Sequence, residues 1–343
     1  MKDLRVWLGI LVSVAATAIL LSMVNPWETI AVLQRTDPLL LTLYILAIPL
    51  AMWLKSHRWR LLFPRPEQIQ VGGLIEVLYL GYMVNAIMPL RIGELVRVFL
   101  VAQTQPTSRS TSLATILTEK VLDVGTMALI LVLLGQIFPN LPDSARAVAL
   151  MSGLGMVVAI IGVACALLAR SRARILARWC EARVPLLAKI GAAKMLDAFL
   201  DGLAFAQRPK LLVRVTLWTL AVWGLDAVSI ALGLLAVGIT GTSVAELVVM
   251  TLLLLVVMNL SMAIPSAPGY LGVFHGVFVA TLVIFHIREE QAVAAAVLAH
   301  GLVFGFFILG GVYYLLRGQA MRASGRQFSD LLAGARSAAP GAP

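Results

Sequence analysis

Few side chains in this sequence carry charge. Asp, Glu, Lys and Arg make up 13% of its 343 residues, about half the share found in soluble globular chains, while hydrophobic residues reach 60%. That balance excludes a soluble domain. Cysteine is almost missing: Cys165 lies inside an apolar run and Cys180 in a basic loop, too few and too poorly spaced for a disulfide framework or a thiolate metal site. Also absent are a Walker loop, G-x-S-x-G, H-E-x-x-H and any Gly-rich loop opening a soluble α/β domain. Neither a catalytic group nor a cofactor nor a metal is therefore expected, and transport, if any, would be passive or driven by an ion gradient.

What is present is uncharged length. Residues 6–24, 38–54 and 147–169 contain no charged side chain, and about 20 helical residues cross a hydrocarbon core of about 30 Å. The chain reads as all-α, a polytopic integral membrane bundle. Its net charge of +10 is explained by orientation and attraction to anionic headgroups, without nucleic acid as a partner. Lys2 and Arg5 precede the first apolar run, which is longer than a signal-peptide core, and Asn25-Pro-Trp-Glu offers no cleavage pattern. The first run is expected to stay as a span.

Basic residues mark the inner loops. Residues 55–67 carry Lys55, Arg58, Arg60 and Arg65, residues 170–214 hold ten basic and three acidic side chains, and the tail carries Arg317, Arg322, Arg326 and Arg336. Loops 25–37, 138–146 and 238–246 are poor in positive charge and read as external. Six full spans follow, at 6–24, 38–54, 111–137, 147–169, 214–237 and 291–316, in a cytoplasmic membrane with both termini inside. Within the basic loop, Leu176, Trp179, Leu186, Leu187, Ile190, Leu196, Phe199 and Leu203 recur at near-helical spacing, the pattern of amphipathic helices lying on the inner surface. Residues 333–343, rich in Gly, Ala and Pro, are expected to be disordered.

Two apolar stretches fit no simple span. Residues 71–90 have basic flanks on both sides, so one crossing would violate the charge rule. Residues 247–287 run for 41 positions without a single Asp, Glu, Lys or Arg, about twice a crossing, and are interrupted by Ile264-Pro-Ser-Ala-Pro-Gly-Tyr-Leu-Gly272. Prolines remove amide donors and glycines permit a turn, so a break belongs there. The first stretch, extended to 101, reads as a re-entrant helical hairpin entering from the cytoplasm and the second as one entering from outside. Their breaks share Pro-x-x-x-Gly-x-Leu, from Pro89 to Leu95 and from Pro265 to Leu271. An inverted repeat is expected: residues 38–169 and 214–316, joined by the linker 170–213, in a single domain of residues 1–332. The two breaks should then meet around one cavity, because irregular backbone inside a membrane must be buried in protein or wet.

Charges are sparse enough inside these segments to be candidates. Arg91, Glu94 and Arg97 follow the first break at helical spacing and carry a net positive charge, as an anion site for a phosphate or carboxylate headgroup would; a charged collar snorkelling to the interface explains the same residues. Glu119, Lys120 and Asp123 open the third span. Glu119 and Asp123 share a helix face, so they could meet Arg91 or Arg97, protonate during a transport cycle, or form an internal ion pair that holds the fold. Asp226 and Glu76 read as paired packing carboxylates. His275 and His300 read as packing histidines, with pH sensing or headgroup binding as the alternative.

Four motifs in order, Asn85-Ala-Ile-Met-Pro-Leu-Arg-Ile-Gly-Glu-Leu-Val-Arg97, Leu113-Ala-Thr-Ile-Leu-Thr-Glu-Lys-Val-Leu-Asp123, Pro265-Ser-Ala-Pro-Gly-Tyr-Leu-Gly-Val-Phe274 and His300, resemble the lysylphosphatidylglycerol synthase transmembrane family, whose members are also called flippase-like domain proteins. The resemblance covers residues 5–316. It implies a bundle with re-entrant segments that moves or presents lipids such as aminoacylated phosphatidylglycerol. It also implies substrate-binding roles for Asn85, Pro89, Arg91, Gly93, Glu94, Arg97, Glu119, Asp123, Pro265, Pro268, Gly269, Gly272 and His300. Two further substrate-site positions depart from the family: Lys120 stands where an Arg is usual, and His275 where a Glu is, which removes a carboxylate from any proton-coupled role. The soluble aminoacyl-transfer domain of the bifunctional synthases is missing from the sequence.

The expected function is translocation of an anionic or modified phospholipid, or of a lipid-linked headgroup. The membrane lipid is the substrate, and a separate lipid-modifying enzyme is a candidate partner. The alternatives are a membrane-embedded glycosyl or aminoacyl transferase, or a subunit of one, and a scaffold that organises lipid enzymes.

Overall fold

The computed structural model describes residues 26–88, 91–137, 170–184, 208–241, 243–262 and 268–317, with isolated positions between 193 and 200. The expected spans at 6–24 and 147–169, the tail, Pro89 and Pro265 lie outside the described residues. Those described are all-α, without a strand. Ten helices follow one another: α1 (Pro26–Gln34), α2 (Pro38–Leu61), α3 (Val71–Ile87), α4 (Gly93–Thr104), α5 (Arg109–Ile137), α6 (Arg170–Arg183), α7 (Pro209–Ala236), α8 (Val244–Ser261), α9 (Val273–Val283) and α10 (Glu289–Arg317). Among the described residues four helices, α2, α7, α8 and α10, are long and apolar enough to cross a membrane, and α3 and α9 are shorter apolar helices. The chain is a multi-pass membrane protein.

One boundary differs from the sequence expectation. Helix α2 continues through Leu61 instead of ending near Leu54. Lys55 to Leu61 contain neither Gly nor Pro, and Pro64 is the first residue that disfavours helix before it. The last two turns thereby become part of the packed protein, with Arg58, Trp59 and Ser56 buried.

The chain folds as two compact units. Of the described residues, the first comprises those within 26–53, 75–103 and 223–317. Its core gathers Leu234, Met250, Leu254, Phe274, Phe278, Leu282 and Phe304 around Ala86 of α3. Helix α9 packs on α8 and α10, and α1 packs on α10. Gly310 and Gly311 of α10 leave room for Tyr79 and Met83 of α3; a Cβ at Gly311 would sit 2.5 Å from that of Met83. Three connections come together here. The amide of Asp37 donates to the carbonyl of Ala236 at 2.9 Å, and Arg288 Nη2 pairs with Glu28 Oε2 at 2.9 Å, so the segment 28–37 touches both the end of α7 and the α9–α10 turn.

Of the described residues, the second unit comprises 54–74, 104–137, 170–184 and 208–222. Trp59 Nε1 donates to Thr115 Oγ1 of α5 at 2.9 Å, and the His57 ring stacks on Trp218 of α7 with centroids 4.9 Å apart. Gln105, just past α4, accepts the Gln70 amide on Oε1 at 2.9 Å. The chain therefore leaves along α3 and returns along α4 to its starting point. Helix α4, at about 18 Å for twelve residues, is too short to cross a bilayer.

Candidate functional site

The first break begins where α3 stops at Ile87. Helix α4 starts with Gly93, and a helix's first amides have no partner within the helix. Asn85 supplies one from the preceding helix: its Oδ1 accepts the Gly93 N–H at 2.7 Å. A Cβ at Gly93 would fall 2.5 Å from that same oxygen and into the Gly81 carbonyl. Gly81 is needed for a matching reason, since the stem of Arg97 crosses it with Cγ 2.5 Å from where a Cβ would be. Asn85, Gly81 and Gly93 thus close the tip of the α3–α4 hairpin, and Arg97 is buried along it.

Arg91 stands between the two helices with φ 52, a left-handed conformation uncommon for side chains larger than Gly. Its side chain is 36% exposed and its Nε lies 3.9 Å from Glu94 Oε1, whose side chain is 21% exposed. Glu94, in the first turn of α4, also sits favourably at the positive end of the helix dipole.

The second break lies between the end of α8 at Ser261 and the start of α9 at Val273. A short 3₁₀ turn opened by Pro268 runs to Tyr270, and Gly269, Tyr270 and Gly272 take φ of 71, 57 and 82. Left-handed backbone is free for Gly and costly for Tyr. Two neighbours hold Tyr270 there: its hydroxyl faces the Arg91 side chain, and its ring lies edge-on to Phe304 at 6.1 Å. Gly269 lies against α3, where an added Cβ would be 3.4 Å from the Ala86 carbonyl oxygen. The breaks are therefore in contact within the first unit, Gly269 and Tyr270 from one side and Ala86 and Arg91 from the other.

His275 and His300 stack on each other with centroids 4.8 Å apart. His300 continues the stack onto Phe304 at 4.2 Å, with Phe274 edge-on at 5.0 Å. They join the aromatic packing behind Tyr270, sharing Phe304 with it.

The α5 carboxylates are held elsewhere. Asp123 Oδ1 accepts from Arg58 Nη1 at 2.6 Å, and Glu119 Oε1 lies 3.8 Å from Nη2. Of the readings open from sequence, the internal ion pair is the one these contacts form, and its cation is Arg58, which was read from sequence as a loop charge. It was findable: a pair of carboxylates one turn apart in an apolar helix needs a cation, and the helical register of α2 extends without a breaker to Arg58. Gln105 was also missed. Lys120 follows Glu119 on the same helix and is half-buried. Asp226 lies near Tyr44 and Glu76 near Tyr314, so neither carboxylate stands bare. No cluster of three or more His, Cys, Asp or Glu that could hold a metal occurs among the described residues.

The chain matches the family described as Lysylphosphatidylglycerol synthase TM region over residues 6–311, and it belongs to that family. It is also similar to Glycosyltransferase AglD of Haloferax volcanii, 28% identical over 342 residues that cover 90% of this chain and 53% of that protein. The chain thus spans about half the length of this curated relative. No solved structure matches.

Proposed function

We propose that the protein moves an anionic or modified phospholipid, or a lipid-linked headgroup, across the cytoplasmic membrane, and that the two helix breaks line the path. One observation carries this reading: where the breaks touch, Arg91 and Glu94 remain partly exposed beside Tyr270. A charge at membrane depth costs about 2.5–3.5 kcal/mol, and a guanidinium left accessible there is accounted for by a wet cavity that receives a phosphate or carboxylate. Asn85, Gly93, Gly269 and Gly272 shape the path and Arg91 grips the headgroup.

In the topology that goes with this function, α3–α4 enters from the cytoplasm and α8–α9 from outside, as the halves of an inverted repeat with both termini inside. The Gln70–Gln105 bond supports the first return. The Arg288–Glu28 and Asp37–Ala236 contacts support the second, because they bring the α9–α10 turn to the segment 28–37 and the end of α7, next to loops expected outside.

Proteoliposomes containing phosphatidylglycerol or its aminoacylated form test the function. Wild-type protein should move the lipid between leaflets, and Arg91→Ala should slow it about 10- to 100-fold, since charge-assisted contacts contribute about 1.5–3 kcal/mol. Arg91→Lys should recover part of the rate. A stably folded Arg91→Ala protein with wild-type transfer overturns the assignment. The relative's name, a glycosyltransferase, favours a second reading in which the chain is the membrane part of a lipid-modifying transferase. That reading requires the purified chain, or the chain with a transferase partner, to attach a labelled sugar or aminoacyl group to lipid in the same vesicles.

A further inference from the structure

Helix α6 presents two unlike faces. At 100° per residue, Ala177, Cys180 and Glu181 share one side and are half-buried, and Glu181 Oε1 there accepts the Ala193 amide at 2.7 Å. The opposite arc holds Arg178, Ile175, Trp179, Arg172, Arg183 and Leu176 in angular order, every one exposed. Ile175, Leu176 and Trp179 expose 68, 61 and 52% of their surface, and the Arg183 guanidinium lies 3.7 Å from the centre of the Trp179 ring. A solvated helix has no reason to hold three large apolar side chains on the face away from its anchor. A protein interface would deplete rather than interleave charge.

We infer that this face docks on the inner leaflet of the membrane and recognises anionic phospholipid. Ile175, Leu176 and Trp179 enter the headgroup boundary, and Arg172, Arg178 and Arg183 engage lipid phosphates. The cation over the Trp179 ring fits a side chain at membrane interfaces, with an apolar body and a polar edge. The charge complementarity is what selects an anionic surface. The face shares no residue with the helix breaks, so the inference stands or falls independently of the transfer assay.

The test places an environment-sensitive fluorophore at Leu176→Cys in full-length protein with Cys165 and Cys180 replaced by Ala, reconstituted in nanodiscs of phosphatidylcholine with or without phosphatidylglycerol. Doxyl-labelled lipid should quench the fluorophore in phosphatidylglycerol nanodiscs. Each arginine near an anionic surface contributes about fivefold to binding, so Arg172→Gln, Arg178→Gln and Arg183→Gln together should weaken docking about a hundredfold and lower the quenched fraction. Equal quenching in pure phosphatidylcholine overturns anionic recognition. A fluorophore exposed to aqueous quencher in every composition overturns docking altogether. One shielded from both water and doxyl lipid would mean that a protein surface covers the face, and would also overturn the inference. Elution and helicity matching the parent identify folded variants, and Trp179→Phe, which keeps the apolar body, should retain most docking.

Discussion

Replacing Arg58 with Met should be among the most damaging single changes in the second unit. The side chain is 3% exposed, 2.6 Å from Asp123 and 3.8 Å from Glu119, so its loss leaves two carboxylates one helical turn apart without the cation between them. Removing one partner of a buried ion pair costs about 3–5 kcal/mol, and at 4 Å a pair of charges interacts by about 4 kcal/mol at an effective dielectric constant of 20. The two estimates agree in size. The penalty comes from stranding charge, so it should be reversible. Arg58→Met combined with Glu119→Leu and Asp123→Leu should recover most of the lost stability, because buried ion pairs are often replaceable by apolar side chains at little cost. Unfolding in mixed micelles, followed for the single, double and triple variants, gives both the loss and the coupling energy. A loss below about 1 kcal/mol for Arg58→Met, or a triple variant no more stable than the single one, refutes the argument that this cation neutralises the pair.

Three further outcomes are expected. Asn85→Ala removes the side chain that caps α4 and should cost about 1 kcal/mol, while Gly93→Ala overpacks the same tip against Asn85 and Gly81 and should cost about 1–3 kcal/mol. Both should raise amide exchange at residues 88–94 and leave α5 unchanged, and unchanged exchange there would dissociate the Asn85 contact from hairpin closure. Gly269→Val places a β-branched residue at φ 71 against the Ala86 carbonyl; transfer should fall to background while membrane insertion is retained, and normal transfer would remove the second break from the path. Membrane-impermeant thiol reagents should reach Thr240→Cys and Glu289→Cys from the same, outer side, and labelling of Glu289→Cys only from the cytoplasm would mean that α8–α9 does not return.

The helix breaks were legible because their causes are local. Prolines and glycines near 89–93 and 265–272 interrupt otherwise continuous apolar runs, and the helices end at Ile87 and restart at Gly93 and Val273. What ties α3 to α4 was not legible. Asn85 and Gln105 are polar residues in apolar surroundings, and from sequence Asn85 looked like a substrate contact; its partner is a backbone amide eight residues away, which no side-chain pattern announces. The position of Arg58 was misjudged for a related reason: a charge count assigns residues to loops by composition, whereas helix α2 had no local reason to stop until Pro64. His275 illustrates the converse, a departure noticed in sequence whose consequence is packing: it stacks on His300.

These placements separate two kinds of residue that a motif lists side by side. Asn85, Gly81 and Gly93 are consumed by the hairpin tip, with the Asn85 carboxamide oxygen on a backbone amide and the glycines admitting backbone and the Arg97 stem. Glu119 and Asp123 are consumed by Arg58. Substituting any of these should lower stability and activity together, since the damage passes through the fold. Arg91 differs. Its backbone holds a conformation that a non-glycine residue adopts only under constraint, and the hairpin tip closes through Asn85 and Gly93 without its side chain. Its side chain lies beside Tyr270 across the junction of the breaks and near partly exposed Glu94. A glycine would take φ 52 with less strain but gives up the contacts with Tyr270 and Glu94, so for Arg91→Gly a structural role alone predicts that transfer falls only as far as stability does. A headgroup-binding role predicts that the same variant loses transfer beyond any loss of stability, and the split between the two measurements assigns the residue.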